Sequence, residues 1–362
     1  MLLLLATSVA LFLIYALYVA FLALGSKLSM GEFAVAAAYW LRLSVYLLLL
    51  PALMYLAATD KRVLVSIYKN IYAVPIILAM IGFAQYLLMP RLASLGYLGW
   101  DPHDGRLVAT WLDPNVIGLF FAISLPMYAA EYVNTKKSQH MAALLIVGLA
   151  LILTVSRSSF IAAAASSTIV LLGLSVAVYR KAASKAAPLA LLWSETALLL
   201  LFMAVVFIFP SRFAGLVYAD ATVTLRAVAL RQAIYKIIEP NAIFGVGYNT
   251  YQFAAKDAGM IENFTIHSRA GTDNSLLTLW ATTGAIGLLM AGSAAAALLW
   301  ILVAQTKNRL YILATCGSIL IATAVHSQFV NSALYAHILA SVALVIAWQY
   351  GQSQHAAAQP PT

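Results

Sequence analysis

Four charged or titratable side chains in this 362-residue sequence occupy positions that indicate chemistry. Arg157 lies in LTVSRSSF (153–160), between two apolar runs, where a charge costs at least about 2.5–3.5 kcal/mol on membrane-insertion scales. Arg226 falls on the apolar side of a predicted helix, and His267 and Asp273 follow in one polar stretch. A guanidinium fork binds phosphate oxygens, and a carboxylate or an imidazole accepts a proton. These residue types indicate a phosphate-bearing substrate and a general base.

The composition identifies the environment of these residues. Hydrophobic residues make up 64% of the chain and charged residues only 9%, which excludes a water-soluble globule of this length. About 20 apolar residues cross about 30 Å of hydrocarbon. We therefore predict an all-α, polytopic membrane bundle, and we interpret its first run as a retained anchor. The ten predicted spans are 2–24, 33–58, 63–89, 115–133, 141–157, 159–179, 189–209, 275–303, 310–330 and 333–350.

Basic residues in alternate short loops predict the orientation, because cytoplasmic loops carry an excess of lysine and arginine. Nine of them fall on one side: Lys61, Arg62, Lys136, Lys137, Arg180, Lys181, Lys185, Lys307 and Arg309. Both termini are then cytoplasmic. These inner loops hold nine of the 21 lysines and arginines, so the net charge of +9 reflects the topology more than a nucleic-acid surface. No nucleic-acid partner is expected. The predicted regions are 1–209 with seven spans, 210–274 as an outer loop, and 275–362 with three spans and a tail.

The outer loop 210–274 is much longer than ordinary connections and is predicted to form a small cap. Its segment ATVTLRAVALRQAIYKIIEP is predicted to form a helix that ends at Pro240. Its apolar face consists of Val223, Leu230, Ala233, Ile234 and Ile237. Two simpler interpretations remain open. Arg226 can snorkel to lipid head groups, and Asp273, together with the two residues after it, can act as the N-cap of the eighth span.

Two arginines and a base at the outer face of a membrane suit a lipid-linked sugar diphosphate. Arg157 is predicted to lie at that face, because its run starts after Lys136 and Lys137 on the inner side. Arginines that bind the diphosphate leaving group stabilise the transition state while a base takes the proton of an attacking hydroxyl. No cofactor is expected. No metal site is expected either, because the six histidines are scattered along the chain.

Five blocks, in order, resemble the O-antigen ligase and polymerase family of bacterial surface-polysaccharide assembly. They are GFAQYL (82–87), RLVATWLDPNVIGLF (106–120), LTVSRSSF (153–160), LRAVALRQAIYKIIEPNAIFGVG (225–247) and DNSLLTLWATTGAIGLL (273–289). The resemblance implies a helical inner-membrane protein with a large periplasmic loop carrying amphipathic helices. It also implies an undecaprenyl-diphosphate-linked glycan as donor. Arg157 and Arg226 are similar to the family's diphosphate-binding arginines, and Asp273 stands at the position of its proposed base.

The remaining site residues are assigned on the same resemblance. Arg231 is expected to contact the diphosphate, and His267 to assist or replace Asp273 as the base. The residues expected to support the surrounding loops are Arg106, Asn115, Gly245, Gly247 and Asn274. The lipid bilayer surrounds the bundle, and flippase and chain-length regulator proteins are candidate partners.

Two departures from the family pattern direct the choice of activity. Ligases acting on lipid A core usually carry histidine before asparagine, where this chain has Asp273 before Asn274. Family members commonly have about twelve spans rather than ten. The aspartate favours a glycan polymerase joining lipid-linked repeats. The alternative is a ligase that transfers the glycan to lipid A core or protein. A transporter or flippase is a more distant alternative, because it would favour repeated halves around a midplane site.

Overall fold

The computed structural model describes residues 1–25, 27–92, 103–182, 221–261, 271–306 and 310–357. Helices dominate these residues and no strand occurs among them, which confirms the all-α prediction. The helices are α1 (Leu2–Leu22), α2 (Met30–Thr59), α3 (Lys61–Leu88), α4 (Pro114–Thr135), α5 (Ser138–Thr154), α6 (Arg157–Ala182), α7 (Ala221–Ala233), α8 (Tyr251–Asp257), α9 (Ser275–Thr306), α10 (Leu310–His326) and α11 (Ala336–Ala357). Every predicted span in the described ranges coincides with one of them, whereas 189–209 lies outside these ranges.

Four helical stretches in the described part of the chain are long and apolar enough to cross a membrane. They are Leu2–Leu22, Met30–Thr59, Lys61–Leu88 and Ser275–Ala304, and the shorter apolar helices are Ser138–Thr154 and Ile312–His326. The count of ten spans and the periplasmic position of 210–274 stay predictions.

The chain divides into two compact units, which are described separately. The first unit contains Met1–Leu53, Ala219–Ile301 and Ser327–Ala340. The second unit contains Met54–Tyr218, Leu302–His326 and Ser341–Thr362. The predicted boundaries at 209 and 274 stay predictions.

The first unit has a small core built on α7 and the segment after it. After α7 the helix widens into a π-helical turn, Ile234–Ile238, and then tightens into a 3₁₀ turn, Glu239–Asn241. Pro240 lies in this last turn and has no backbone N–H with which to continue the helix. The buried side chains of the core are Ala233, Ile237, Ile238, Val246, Tyr251, Ala255 and Ala281. Ala233 and Ile237 belong to the predicted apolar face of the 221–240 helix.

Helix α9 is interrupted at Gly284, which has φ 65° and ψ −173°. Such a conformation is available to glycine at little cost, because glycine has no Cβ. The nine residues before the break pack on the core of the first unit through Leu277 and Trp280. The 22 residues after it, 285–306, are enough by themselves to cross the hydrocarbon of a bilayer. The predicted eighth span is therefore a helix in two sections.

The segment 242–247 binds the backbone groups that this break releases. Val246 N–H donates to the Ala281 carbonyl (2.9 Å) and Gly247 N–H to the Thr282 carbonyl (2.8 Å). In return, Ala285 and Ile286 N–H donate to the carbonyls of Ala242 (2.8 Å) and Ile243 (3.3 Å). Four backbone groups are thus paired at a point where a broken helix would leave them unsatisfied.

Close backbone contact explains the glycine at position 245. Gly245 has φ +73°, and a Cβ there would lie 2.5 Å from the backbone of Thr282 and Thr283. Such a distance is shorter than real Cβ contacts, so a larger residue would push the segment away from the break. The same pairing requires a glycine at position 284, because a Cβ added there would collide with the Ile243 carbonyl.

In the second unit, α4, α5, α6 and α10 pack against one another. Helix α5 ends at Thr154, where Val155 adopts a left-handed conformation with φ +48°. After Ser156 the chain starts α6 at Arg157. The LTVSRSSF block is therefore a sharp turn between two apolar helices.

Candidate functional site

Arg226 and Asp273 form an ion pair in the first unit. Arg226 Nε lies 3.1 Å from Asp273 Oδ2, and the two side chains are 44% and 50% exposed. The structure thus brings together the predicted base and one of the predicted diphosphate ligands. Both remain open to a substrate.

The position of Arg226 follows from how far α7 extends beyond the packed core. Leu230 is half-buried and Ala233 and Ile237 are buried, whereas residues 224–229 are exposed. Because Arg226 precedes Leu230 by four residues, it lies on the same side of the helix, past the end of that core. At this point an arginine contacts solvent and a carboxylate rather than apolar side chains.

The N-cap of α9 is Asn274 rather than Asp273. Leu277 N–H donates to Asn274 Oδ1 at 3.0 Å, which is the hydrogen bond expected of an N-cap side chain. Asn274 Nδ2 also donates to Gln328 Oε1 at 3.1 Å. The capping role that the sequence left open for Asp273 belongs to its neighbour, so the Asp273 carboxylate is available to pair with Arg226.

A tyrosine near Asp273 was missed by the sequence reasoning. Tyr251 is 5% exposed and belongs to the core of the first unit. Burial, and to a smaller extent the Asp273 carboxylate, raises the pKa of its phenol to about 12. The phenol therefore stays protonated at neutral pH beside the predicted base. Of the other candidates, the Arg231 guanidinium lies 5.6 Å from the centre of the Tyr235 ring, and His267 falls outside the described residues.

A second polar cluster lies in the second unit, at the turn between α5 and α6. Arg106 Nε donates to the Thr154 carbonyl (2.8 Å), and its Nη2 donates to the Val155 carbonyl (3.2 Å) and to Asn115 Oδ1 (3.4 Å). A cation at the last carbonyls of a helix is favourable, because these groups carry the negative end of the helix dipole. Arg106 and Asn115 thus hold the end of α5.

Arg157 occupies the first position of α6, directly after a serine N-cap. Ser159 N–H donates to Ser156 Oγ at 3.4 Å, and Phe160 N–H donates to the Ser156 carbonyl at 3.0 Å. Ser156 Oγ also donates to Asn115 Oδ1 at 2.9 Å. Ser156 is fully buried, whereas Arg157 is half-buried. The arginine therefore stands at a helix terminus rather than in the middle of an apolar span.

His326 completes this cluster and was not singled out by the sequence reasoning. Its Nε2 lies 3.0 Å from Ser158 Oγ and 3.3 Å from Ser159 Oγ, and the residue is fully buried. The available signal was its place at the end of an apolar run, where an ionisable side chain is costly and usually has a partner. Spacing carried no such signal, because the serines precede it by 168 and 167 residues.

No group of three or more His, Cys, Asp or Glu side chains in the described part of the chain is arranged to bind a metal ion. The chemistry available from the described side chains is anion binding by guanidinium groups and proton transfer by a carboxylate.

Residues 142–292 match the sequence model of the O-antigen ligase family. This stretch is similar to an O-antigen ligase domain and covers 151 of the 362 residues. The match and the apolar helices are consistent with a membrane protein related to the O-antigen ligases and polymerases. The matched stretch contains Arg157, Arg226 and Asp273, whereas Arg106 and His326 lie outside its limits. No curated protein is significantly similar to the chain in sequence.

Proposed function

We propose that this protein is a glycan polymerase that joins undecaprenyl-diphosphate-linked oligosaccharide repeats on the periplasmic side of the bacterial inner membrane. The observation that supports the proposal best is the half-exposed ion pair between Arg226 and Asp273 within the matched stretch. It joins an anion-binding group to a proton acceptor, which are the two groups that this transfer requires.

In the proposed reaction, a hydroxyl of one lipid-linked repeat attacks the anomeric carbon of another lipid-linked chain. A new glycosidic C–O bond forms, and the bond from the anomeric carbon to the diphosphate breaks. Undecaprenyl diphosphate leaves with the bonding electron pair, and Asp273 accepts the hydroxyl proton. Arg226 stabilises the negative charge that develops on the leaving diphosphate.

The ion pair also gives donor binding a way to activate the base. A diphosphate carries more negative charge than one carboxylate, so it competes with Asp273 for the Arg226 guanidinium. Once this positive partner turns to the substrate, the Asp273 carboxylate oxygen that contacted Arg226 is free to accept a hydrogen bond from the acceptor hydroxyl. The base therefore becomes competent when the donor is in place.

The same diphosphate-binding role is proposed for Arg157, from its position at the start of α6, and for Arg231. His267 is the alternative base. Candidate partner proteins are a flippase that delivers the lipid-linked repeat and a chain-length regulator.

A ligase activity, in which the glycan passes to lipid A core or to protein, is the second candidate. The description of the matched family favours it. Aspartate before Asn274, where such ligases usually carry histidine, favours the polymerase.

The test is reconstitution of the purified protein in liposomes with an undecaprenyl-diphosphate-linked repeat as both donor and acceptor. A polymerase forms a ladder of products on a gel, and Arg226→Ala abolishes the ladder. A parallel reaction receives lipid A core as a competing acceptor. Transfer to lipid A core without a ladder would assign a ligase, and no transfer to any acceptor would contradict both activities.

A further inference from the structure

We propose that His326 is a positioning residue that directs Arg157 toward the donor diphosphate by holding the first turn of α6. This inference rests on the proposed function, in which Arg157 binds the diphosphate. His326 does not touch the substrate in this proposal. It acts through Ser158 and Ser159, the two residues that follow Arg157.

The imidazole contacts this turn at more than one point. Nε2 of His326 lies 3.0 Å from Ser158 Oγ and 3.3 Å from Ser159 Oγ. The backbone of Asn115, at the start of α4, is a further hydrogen-bonding partner of the ring. Ser159 Oγ in turn donates to the Asn115 carbonyl at 3.2 Å. The histidine at the end of α10 thus ties the start of α6 to the start of α4.

These contacts determine which way Arg157 points. Ser156, Ser158 and Ser159 are buried, and Arg157 is the half-buried residue among them. Successive residues of an α-helix are separated by about 100° around its axis, because 3.6 residues make a turn. A turn whose serines are fixed to the interior cannot rotate. The arginine at its first position is therefore fixed in the opposite direction.

Packing alone does not account for histidine at this position. A leucine or methionine of comparable size would fill the space without burying a polar ring, and burial of a polar group costs free energy unless it is hydrogen-bonded. What histidine adds is a hydrogen-bonding group that reaches both serine hydroxyls. These hydrogen bonds fix the orientation of the first turn of α6, which packing by an apolar side chain would not do.

The experiment measures the affinity of detergent-purified protein for undecaprenyl diphosphate and the kcat/KM for the lipid-linked repeat. His326→Leu is expected to lower kcat/KM by up to about 10²-fold, the scale of a 1 Å misplacement of a catalytic group. His326→Gln should restore most of it, because its amide nitrogen takes the place of Nε2. Ser158→Ala combined with Ser159→Ala should reproduce the loss with the histidine intact.

A background lacking Arg157 separates positioning from a general structural effect. His326→Leu should weaken undecaprenyl diphosphate binding in the otherwise wild-type protein but have no further effect in Arg157→Ala. His140→Leu is the matched control, because His140 is 2% exposed in the same unit but lies in the first turn of α5, away from the α5–α6 turn. It should leave the affinity unchanged.

The outcomes separate this inference from the proposed function. Failure of the wild-type protein to bind undecaprenyl diphosphate would contradict the proposed function. Binding that is weakened in Arg157→Ala but unchanged in His326→Leu and in the double serine variant would overturn only the role of His326. Equal weakening by His326→Leu with and without Arg157 would assign the histidine to stability alone. If His326→Leu does not fold, the glutamine and serine variants decide between these results.

Discussion

Exchanging the charges of the Arg226–Asp273 pair distinguishes a structural ion pair from a catalytic one. With an N–O distance of 3.1 Å and about half of each side chain exposed, the pair is worth about 0–1 kcal/mol of stability, because solvent and salt screen it. Asp273→Asn and Arg226→Gln should therefore lower the unfolding temperature by only a few degrees. Thermal unfolding in detergent measures this shift.

The expected loss of activity is much larger than this change in stability. Loss of a general base lowers the rate by about 10²–10⁴-fold. Asp273→Asn leaves the start of α9 intact, because the capping hydrogen bond to Leu277 comes from Asn274. Asn274→Ala supplies the opposite control. It should cost about 0.5–2 kcal/mol of stability as a lost N-cap while both members of the pair stay in place.

The double variant with Arg226→Asp and Asp273→Arg decides the question. It places opposite charges at the same two positions, so its thermal stability should return close to the wild-type value. Its polymer formation in liposomes should stay at the level of the single variants, because the leaving group would meet a carboxylate and the acceptor hydroxyl a guanidinium. Recovery of half or more of the wild-type activity would show that only the pairing matters and would refute the assignment of separate roles.

Two further predictions concern the α9 break and the orientation of the first unit. Gly245→Ala should destabilise the protein by about 1–2 kcal/mol for its left-handed conformation plus about 1–3 kcal/mol for the clash with the broken helix. Gly25→Ala is the matched control, because Gly25 has φ +82° but a Cβ at that position would meet nothing within 4 Å. Equal losses of stability in the two variants would contradict the clash at Gly245. A cysteine replacing exposed Lys256, with Cys316 removed, should react with an impermeant thiol reagent in intact spheroplasts; labelling only after lysis would reverse the predicted topology.

The helices were predictable because their signal is local. A run of about 20 apolar residues predicts a helix of membrane-spanning length wherever it occurs, and each such run in the described ranges coincides with a helix. The apolar spacing of the 221–240 helix likewise placed Ala233 and Ile237 on one face, and both are buried. These conclusions depend on neighbours within one or two turns, which a single sequence contains.

The interruption of α9 was not predictable in the same way. The run 275–303 reads as one span, and glycine is frequent in membrane helices, so Gly284 alone gives no sign of a break. The groups that satisfy the break belong to 242–247, about 40 residues earlier in the chain. The Ser158–His326 contact is more distant still, since 168 residues separate its members. No periodicity connects such pairs.

The residue types of the candidate site were therefore easier to predict than their pairing. Arg226 and Asp273 were each expected to meet a substrate, but they contact each other across 47 positions of sequence. The reason is electrostatic: two half-exposed opposite charges within reach attract each other until a more highly charged ligand separates them. If Asp273 is the base, as proposed, its contact with Arg226 holds the arginine close to the place where the diphosphate would bind. Under the proposed function, the pairing that the sequence did not reveal is a resting arrangement that the substrate displaces.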